Sequence, residues 1–262
     1  MKVILRAVQY EFENLFLNRG VWILMAAYVM LTFVICLSDS LRLSYFSFME
    51  SISVLLLNFV APVFLVFILI STLSPVFAGD TEQKISQIPT ACLIGRKGRS
   101  IAKFYAAVIF SLVACLIIGF ISFLIPFCCN LFDGDFLIKY VGTELKLAPI
   151  WTVWQHFVFS MISIVCACII LVVLILFISC SVKNTITVVS ISSIFVLLEF
   201  LFNRFSFPTI VQEYNIWVLF QPYYLFVMKI FHFLPIGNLL LLLIAFLPLC
   251  VFALQQIVRR GV

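Results

Sequence analysis

Charged side chains are few in this protein, and seven of the 27 lie in one stretch between residues 79 and 103. Charged residues make up only 10% of the 262 residues. The charged members of the stretch are Asp80, Glu82, Lys84, Arg96, Lys97, Arg99 and Lys103. Long apolar runs lie on both sides, so the stretch is the longest segment that a bilayer could not hold. We interpret it as the best candidate for a contact with a cytoplasmic partner.

The patterns that catalytic and metal sites require are missing from the sequence. It contains no H-E-x-x-H, no G-x-S-x-G and no G-x-x-x-x-G-K-[ST] loop. Its two histidines, His156 and His232, are not grouped with cysteines at zinc-ligand spacing. Most of the nine cysteines lie in apolar runs, where cysteine usually behaves as a small hydrophobe. We therefore expect no catalytic residue, cofactor or metal, and an intramembrane enzyme is the least favoured hypothesis.

The overall composition indicates a membrane protein. Hydrophobic residues make up 65% of the chain, including 30 Phe. A soluble domain carries about 25% charged residues and could not bury this much apolar surface, so lipid must be the solvent. The net charge of +5 does not indicate nucleic-acid binding, because the basic residues lie at the ends of apolar runs. We predict a single all-α transmembrane domain over residues 1–262.

Six apolar runs are long enough to cross a bilayer, which takes about 20 residues of helix. The predicted spans are residues 20–37, 54–77, 104–127, 156–179, 185–202 and 234–257. Pro62 and Pro75 interrupt the second span and predict a kink or a tilt there. Residues 203–233 mix aromatic and charged side chains, and we predict short helices in the outer interface for them.

Residues 2–19 have the pattern of an amphipathic helix. Its apolar face consists of Ile4, Leu5, Val8, Phe12, Leu15 and Phe16, and its polar face of Lys2, Arg6, Gln9 and Glu13. Because a span follows at once, we predict that this helix lies in the membrane interface. The alternative is a plain soluble helix.

Two residues of the polar stretch are predicted to begin helices. Asp80 can cap a short helix over residues 81–88, with Gln83 reaching back to the cap. Pro89 is expected to end that helix. Ser100 can cap the helix that enters the third span.

The distribution of basic residues favours one orientation in the membrane. With the N-terminus inside, eleven of the sixteen Lys and Arg lie in inner segments: Lys2, Arg6, Arg19, Lys84, Arg96, Lys97, Arg99, Lys103, Lys183, Arg259 and Arg260. The outer segments then hold Arg42, Lys139, Lys146, Arg204 and Lys229. By the positive-inside rule, both termini are predicted to be cytoplasmic.

The order of these features resembles the permease subunits of ABC-2 type exporters. That family has six spans, an N-terminal interfacial helix, a cytoplasmic coupling helix between spans two and three, and a structured outer segment between spans five and six. All three additional features are predicted here in the same order, so the resemblance covers the whole chain.

The polar stretch carries the most specific part of the resemblance. Asp80 stands where the family often has Glu, Arg96 follows sixteen residues later, and Lys103 seven residues after that. The chain departs from the family pattern in three places. Lys84-Ile85 replaces its Gly-Thr pair, Leu93 its Pro, and Gly95 its Ser or Thr.

The resemblance implies a subunit without a nucleotide site, driven by a separate ABC ATPase in two copies that binds ATP and Mg²⁺. It implies pairing with a second permease, identical or homologous, within the lipid of a bacterial plasma membrane. Similarity to lantibiotic-immunity and peptide-toxin exporters implies a hydrophobic or amphipathic peptide substrate, and hence antimicrobial peptide resistance. The residues implied to couple to the ATPase are Asp80, Thr81, Glu82, Gln83, Lys84, Ile85, Arg96 and Lys103. Arg96, Lys97 and Arg99 are equally explained by the positive-inside rule.

Glu199 is the one acidic residue well inside a predicted span. A charge at the bilayer centre costs about 2.5–3.5 kcal/mol on insertion scales, so Glu199 should face protein or water, or lie near an end. With Arg204 five residues on, it is a candidate for a substrate path, and the alternative is an interfacial carboxylate.

A non-transporting sensor or assembly factor with the same fold is the second function hypothesis.

Overall fold

The computed structural model describes residues 2–41, 60–82, 95–129, 153–204, 216–220 and 235–260. Their helices are α1 (Lys2–Phe16), α2 (Arg19–Leu41), α3 (Ala61–Leu73), α4 (Pro75–Glu82), α5 (Gly95–Cys129), α6 (Val153–Ser181), α7 (Thr185–Arg204), α8 (Ile216–Phe220) and α9 (Pro235–Arg260). No strand occurs within these ranges, so the all-α prediction is confirmed for them. Most of the predicted outer segment, residues 205–215 and 221–233, lies outside the described residues.

Five of these helical regions are long and apolar enough to cross a membrane. They are Arg19–Leu37, Ala61–Asp80, Gly98–Pro126, Phe157–Ser181 and Ile236–Ile257. Each overlaps one of the six predicted spans. The apolar part of α7, Thr185–Leu198, is shorter. The protein is therefore an all-helical, multi-pass membrane protein with five candidate spans among the described residues.

The central helix of the bundle is α6. It contacts α3, α4, α5, α7, α8 and α9. Its fully buried side chains include Ala167, Leu171, Val172, Ile175 and Leu176. The mean hydropathy of its spanning part is 3.4, the highest of the five. A helix that is covered on most sides can be apolar all round, which explains why this segment shows almost no polar face.

The outer surface of the bundle is also apolar. α2 and α9 expose large hydrophobic side chains along their length, among them Ile23, Met30, Val34, Ile244, Leu247 and Phe252. A soluble monomer rarely exposes contiguous apolar surface on this scale. In a bilayer such side chains face lipid, while the helical backbone satisfies its own hydrogen bonds.

The second predicted span is divided at Ser74 into α3 and α4. Pro75 is tolerated as the first residue of α4, because the N–H that proline lacks would have no partner inside the helix. The predicted interruption at Pro75 is therefore confirmed. Pro62 lies in the first turn of α3, where its missing N–H costs no hydrogen bond within that helix. Residues 54–59 of the predicted span lie outside the described residues, so an interruption at Pro62 stays a prediction.

The predicted helix caps at Asp80 and Ser100 are wrong. Asp80 lies in the last turn of α4, which ends at Glu82, and α5 begins at Gly95 so that Ser100 lies inside it. The physical reason is that Pro75 starts a helix earlier than the sequence pattern indicated, and this helix continues through Asp80. The carboxylate of Asp80 is engaged by cationic side chains of α5.

The predicted N-terminal helix is confirmed as α1, which packs along α5. Phe12, Leu15 and Phe16 pack against the core of the bundle. Ile4 and Leu5 are exposed, so the first half of the predicted apolar face is not covered by protein. Its placement in the membrane interface stays a prediction, and the exposed apolar residues favour it.

Candidate functional site

Two residues from opposite sides of the polar stretch meet in an ion pair. Nζ of Lys103 lies 2.5 Å from Oδ2 of Asp80, and a terminal nitrogen of Arg99 lies 3.3 Å from Oδ1. Asp80 lies in the last turn of α4, whereas Arg99 and Lys103 lie near the beginning of α5. The ion pairs therefore hold the end of α4 against the beginning of α5, on the two sides of residues 83–94.

The ammonium group of Lys103 is buried, with 4% of the residue exposed. It also donates a hydrogen bond to the carbonyl of Val76 and lies 5.4 Å from the ring centre of Phe77. A buried ammonium group is tolerated only where other groups replace its hydration. Here α4 supplies a carboxylate, a carbonyl oxygen and an aromatic face, so Lys103 joins α5 to α4 at three points.

Arg99 extends this cluster to α1. Its Nε lies 3.7 Å from Oε1 of Glu11, while its other end pairs with Asp80. The side chains of Arg99 and Glu11 are 30% and 19% exposed. Partly solvated pairs of this kind contribute at most about 1 kcal/mol. Arg99 thus orients α1 against the cluster without being its main support.

The hydroxyl of Ser179 closes the break between α3 and α4. It donates to the carbonyl of Ser74 at 2.8 Å and accepts from the amides of Phe77 and Ala78 at 3.2 and 3.1 Å. These amides belong to the first turn of α4, so one hydroxyl of α6 bonds to groups on both sides of the junction between α3 and α4. A single side chain of α6 therefore holds the junction at which the second predicted span is divided into two helices.

The carboxylate of Glu82 binds the beginning of α7. The Thr185 amide donates to Oε1 at 2.7 Å, and the Thr185 hydroxyl donates to Oε2 at 2.9 Å. Oδ1 of Asn184 accepts from the Ile186 amide at 2.8 Å, as an N-cap residue does. An anion at a helix N-terminus is stabilised by the exposed N–H groups and the helix dipole. Glu82 therefore joins the end of α4 to α7.

Basic residues collect at this end of the bundle. Lys183 is exposed in the turn between α6 and α7, next to the Glu82 contact. The rings of Phe177 and Phe252 are 6.1 Å apart, which brings the C-terminal parts of α6 and α9 together. Arg259, exposed near the end of α9, therefore lies at the same end as Lys103. We call this the basic end of the bundle.

The other predicted coupling residues are only partly described. Thr81 lies in α4 and Arg96 in the first turn of α5, but their side chains lie outside the description. Gln83, Lys84 and Ile85 lie outside the described residues. Of the eight predicted coupling residues, the structure thus brings Asp80 and Lys103 into contact. It also places the Glu82 carboxylate against the beginning of α7.

The predicted substrate-path residues, Glu199 and Arg204, both lie in the last two turns of α7. Their side chains are not among those described, so their pairing stays a prediction. The backbone places both residues at the far end of α7 from Thr185. They are therefore separated from the basic end by most of the length of that helix.

Two residues of the site carried no signal in the sequence. Ser179 ends an apolar run and Thr185 begins another, as many residues at span boundaries do. Their partners are 105 and 103 residues away in the chain. A polar residue at the end of a span can be recognised from the sequence, but its partner on another helix cannot.

Polar side chains also meet inside the apolar part of the bundle. The hydroxyls of Tyr28 and Ser122 are 2.5 Å apart, joining α2 to α5. Ser163 donates to the carbonyl of Leu219 at 2.7 Å, which holds the short α8 against α6. Asn238 is also buried, on α9.

No three or more His, Cys, Asp or Glu side chains come close enough to hold a metal ion within the described ranges. Compared with models of known protein families and with characterised protein sequences, the chain matches none. The case for a function therefore rests on the architecture of the bundle and on the contacts of the basic end.

Proposed function

We propose that this protein is the membrane permease subunit of an ATP-driven exporter of the ABC-2 type. The observation that supports this most directly is the Asp80–Lys103 pair, which joins the helices on either side of the polar segment 83–94. A segment that receives force from an ATPase must be firmly joined to the spans, since otherwise its displacement would be lost in local motion. A segment whose bases only set topology would not require these contacts.

In this proposal the chain crosses the bacterial plasma membrane six times, with α7 as the additional span. α7 has 20 residues. At about 1.5 Å per residue such a helix is about 30 Å long, which matches the hydrocarbon core of a bilayer. The basic end faces the cytoplasm, by the positive-inside rule, and both termini are cytoplasmic. The exposed residues Ile4 and Leu5 of α1 lie in the interface.

The proposed assembly contains two copies of a cytoplasmic ABC ATPase and a second permease, identical or homologous to this one. ATP and Mg²⁺ bind the ATPase, because this sequence has no phosphate-binding loop. The polar segment 83–94, which follows Glu82, is the contact that receives the ATPase movement. The substrate is a hydrophobic or amphipathic peptide, and Glu199 and Arg204 lie on its path near the outer end of α7. These roles rest on the family resemblance.

Loss of the gene tests the transport role. A deletion strain is expected to retain more of an added fluorescent amphipathic peptide and to become sensitive to antimicrobial peptides of that class. A plasmid carrying the parent chain should restore efflux, whereas one carrying Glu199→Gln should not. Unchanged retention in the deletion strain would favour a sensor or an assembly factor over a transporter.

A further inference from the structure

α4 is held at its two ends by different helices. At its beginning, the Ser179 hydroxyl of α6 binds Ser74 and the first amides of α4. At its end, the Glu82 carboxylate binds Thr185 of α7. Only the second contact lies beyond Asp80, next to the polar segment. A displacement of that segment would therefore act on the contact with α7 before it acts on the junction at Ser74.

The beginning of α7 depends on Glu82 in a specific way. The first four N–H groups of a helix have no partner inside it. The side chain of Asn184 accepts from the second and third of these, Ile186 and Thr187, at 2.8 and 3.4 Å. The Val188 amide bonds to the Asn184 carbonyl at 3.1 Å. The Thr185 amide is the one whose acceptor, Glu82, comes from a distant part of the chain.

α7 also has fewer packing constraints than α6. Its exposed apolar residues include Ile186, Ile191, Ile194, Leu197 and Leu198. In its described part, the apolar Val188 and the polar Ser192 are buried. α6 is covered by six other helices and could shift only if the core repacked. A force on the end of α4 is therefore more easily relieved by a movement of α7 than by one of α6.

We propose that Glu82 is a positioning residue that transmits displacement of α4 to α7 through its two hydrogen bonds with Thr185. The proposal rests on the proposed function, because the displacement is supplied by an ATPase bound to the segment after Glu82. In that function Glu82 was expected to touch the ATPase itself. The geometry adds an internal contact, since each carboxylate oxygen of the exposed Glu82 side chain accepts one hydrogen bond from Thr185.

The first test asks whether Glu82 holds α7, and it needs no ATPase. Hydrogen exchange is measured on the purified full-length chain in lipid nanodiscs. Replacing an N-terminal cap by Ala costs about 1 kcal/mol, so Glu82→Ala should speed exchange over residues 185–188 about fivefold. Glu82→Gln keeps one acceptor and one donor for Thr185 and should stay near the parent. Equal exchange in the parent and Glu82→Ala would overturn the proposal.

The second test asks whether the contact transmits movement. In the complex with its ATPase, Glu82→Ala should lower peptide efflux per ATP hydrolysed about tenfold, while the amount of bound ATPase is unchanged. Thr185→Val, which keeps the shape but loses the hydroxyl donor, should act in the same direction. The double variant should be no worse than Glu82→Ala, because both changes remove one link.

Two results of the second test would overturn the transmission role. One is an unchanged ratio of efflux to hydrolysis in Glu82→Ala. The other is loss of the ATPase from that variant, which would make Glu82 a docking residue. If the parent chain binds no ATPase at all, the proposed function fails and the transmission role fails with it. The exchange measurement would still decide whether Glu82 holds α7.

Discussion

Asp80 and Lys103 are 23 residues apart in the sequence, and their charged groups are 2.5 Å apart in the fold. The pair closes a loop that begins and ends on helices of the bundle. Because Lys103 is buried and Asp80 is the anion that faces it, the contact is expected to be strong enough to keep the two helix ends together.

Removing the anion should destabilise the bundle. Asp80→Asn leaves a buried ammonium without a carboxylate. We expect the free energy of unfolding to fall by about 2 kcal/mol, less than the 3–5 kcal/mol of a fully buried pair, since solvent screens part of the interaction. Unfolding of the purified protein in SDS measures it. Adding Lys103→Met to Asp80→Asn should restore part of the loss, because it removes the unpaired charge.

The matched control for that series is Arg99→Gln, which removes two partly solvated pairs, with Glu11 and with Asp80. Its cost should stay below about 1 kcal/mol. A cost for Arg99→Gln equal to that of Asp80→Asn would show that burial of Lys103 is not what makes the cluster strong.

Ser179→Ala should weaken the junction between α3 and α4. It removes one hydroxyl that donates to the Ser74 carbonyl and accepts from two amides of α4. One intramolecular hydrogen bond contributes about 0.5–1.5 kcal/mol, and the same unfolding measurement should show a loss of at least this size. Ser181→Ala is the control, because its hydroxyl is exposed and bonds only to Phe177 of its own helix. Equal effects of the two variants would contradict the role of Ser179.

Tyr28→Phe should loosen α2 from α5 by a small amount. It removes the hydrogen bond to Ser122, whose hydroxyl keeps its bond to the carbonyl of Ile118 at 2.7 Å. Interhelical hydrogen bonds in membranes contribute roughly 0.6 kcal/mol on average. Tyr105→Phe, at an exposed position of α5, should have no effect on unfolding. A loss above about 2 kcal/mol for Tyr28→Phe would show that the side chain supports more than this one bond.

The orientation in the membrane can be read from a natural cysteine. Cys128 is exposed, and it lies 25 residues of α5 beyond Lys103, or about 37 Å at 1.5 Å per residue. If the basic end is cytoplasmic, Cys128 faces outward. With Cys129→Ser as background, a membrane-impermeant maleimide should label intact cells, and Cys128→Ser should remove that label. Labelling only after permeabilisation would reverse the proposed orientation.

The general architecture could be predicted from the sequence because hydropathy follows the solvent. Apolar runs such as Gly98–Pro126 and Phe157–Ser181 stand out whatever the tertiary contacts are. The start of α4 is harder to predict, because a proline can interrupt a helix or begin one. Pro75 does both, since it follows the end of α3 and is the first residue of α4. The spacing of the charged residues near Asp80 singles them out in the sequence. The fold shows in addition that Lys103 is buried against α4.

The contacts that join different helices could not be predicted in this way. The family resemblance implies a coupling role for Glu82, but its contact partner Thr185 is 103 residues away and looks like any polar residue at a span boundary. Ser179 is a similar case. Such contacts depend on which helices pack side by side, and an apolar helix surface carries little information about its neighbour, because lipid-facing and protein-facing side chains are alike.

The most direct measurement is to purify the protein in mild detergent from its native membrane and to identify what comes with it. An ABC ATPase should co-purify with the parent chain, and charge reversal at both Glu82 and Lys84 should uncouple ATP hydrolysis from peptide efflux. If no P-loop ATPase is recovered, or if the reversed variant binds the ATPase and transports as the parent does, the proposed permease role is contradicted.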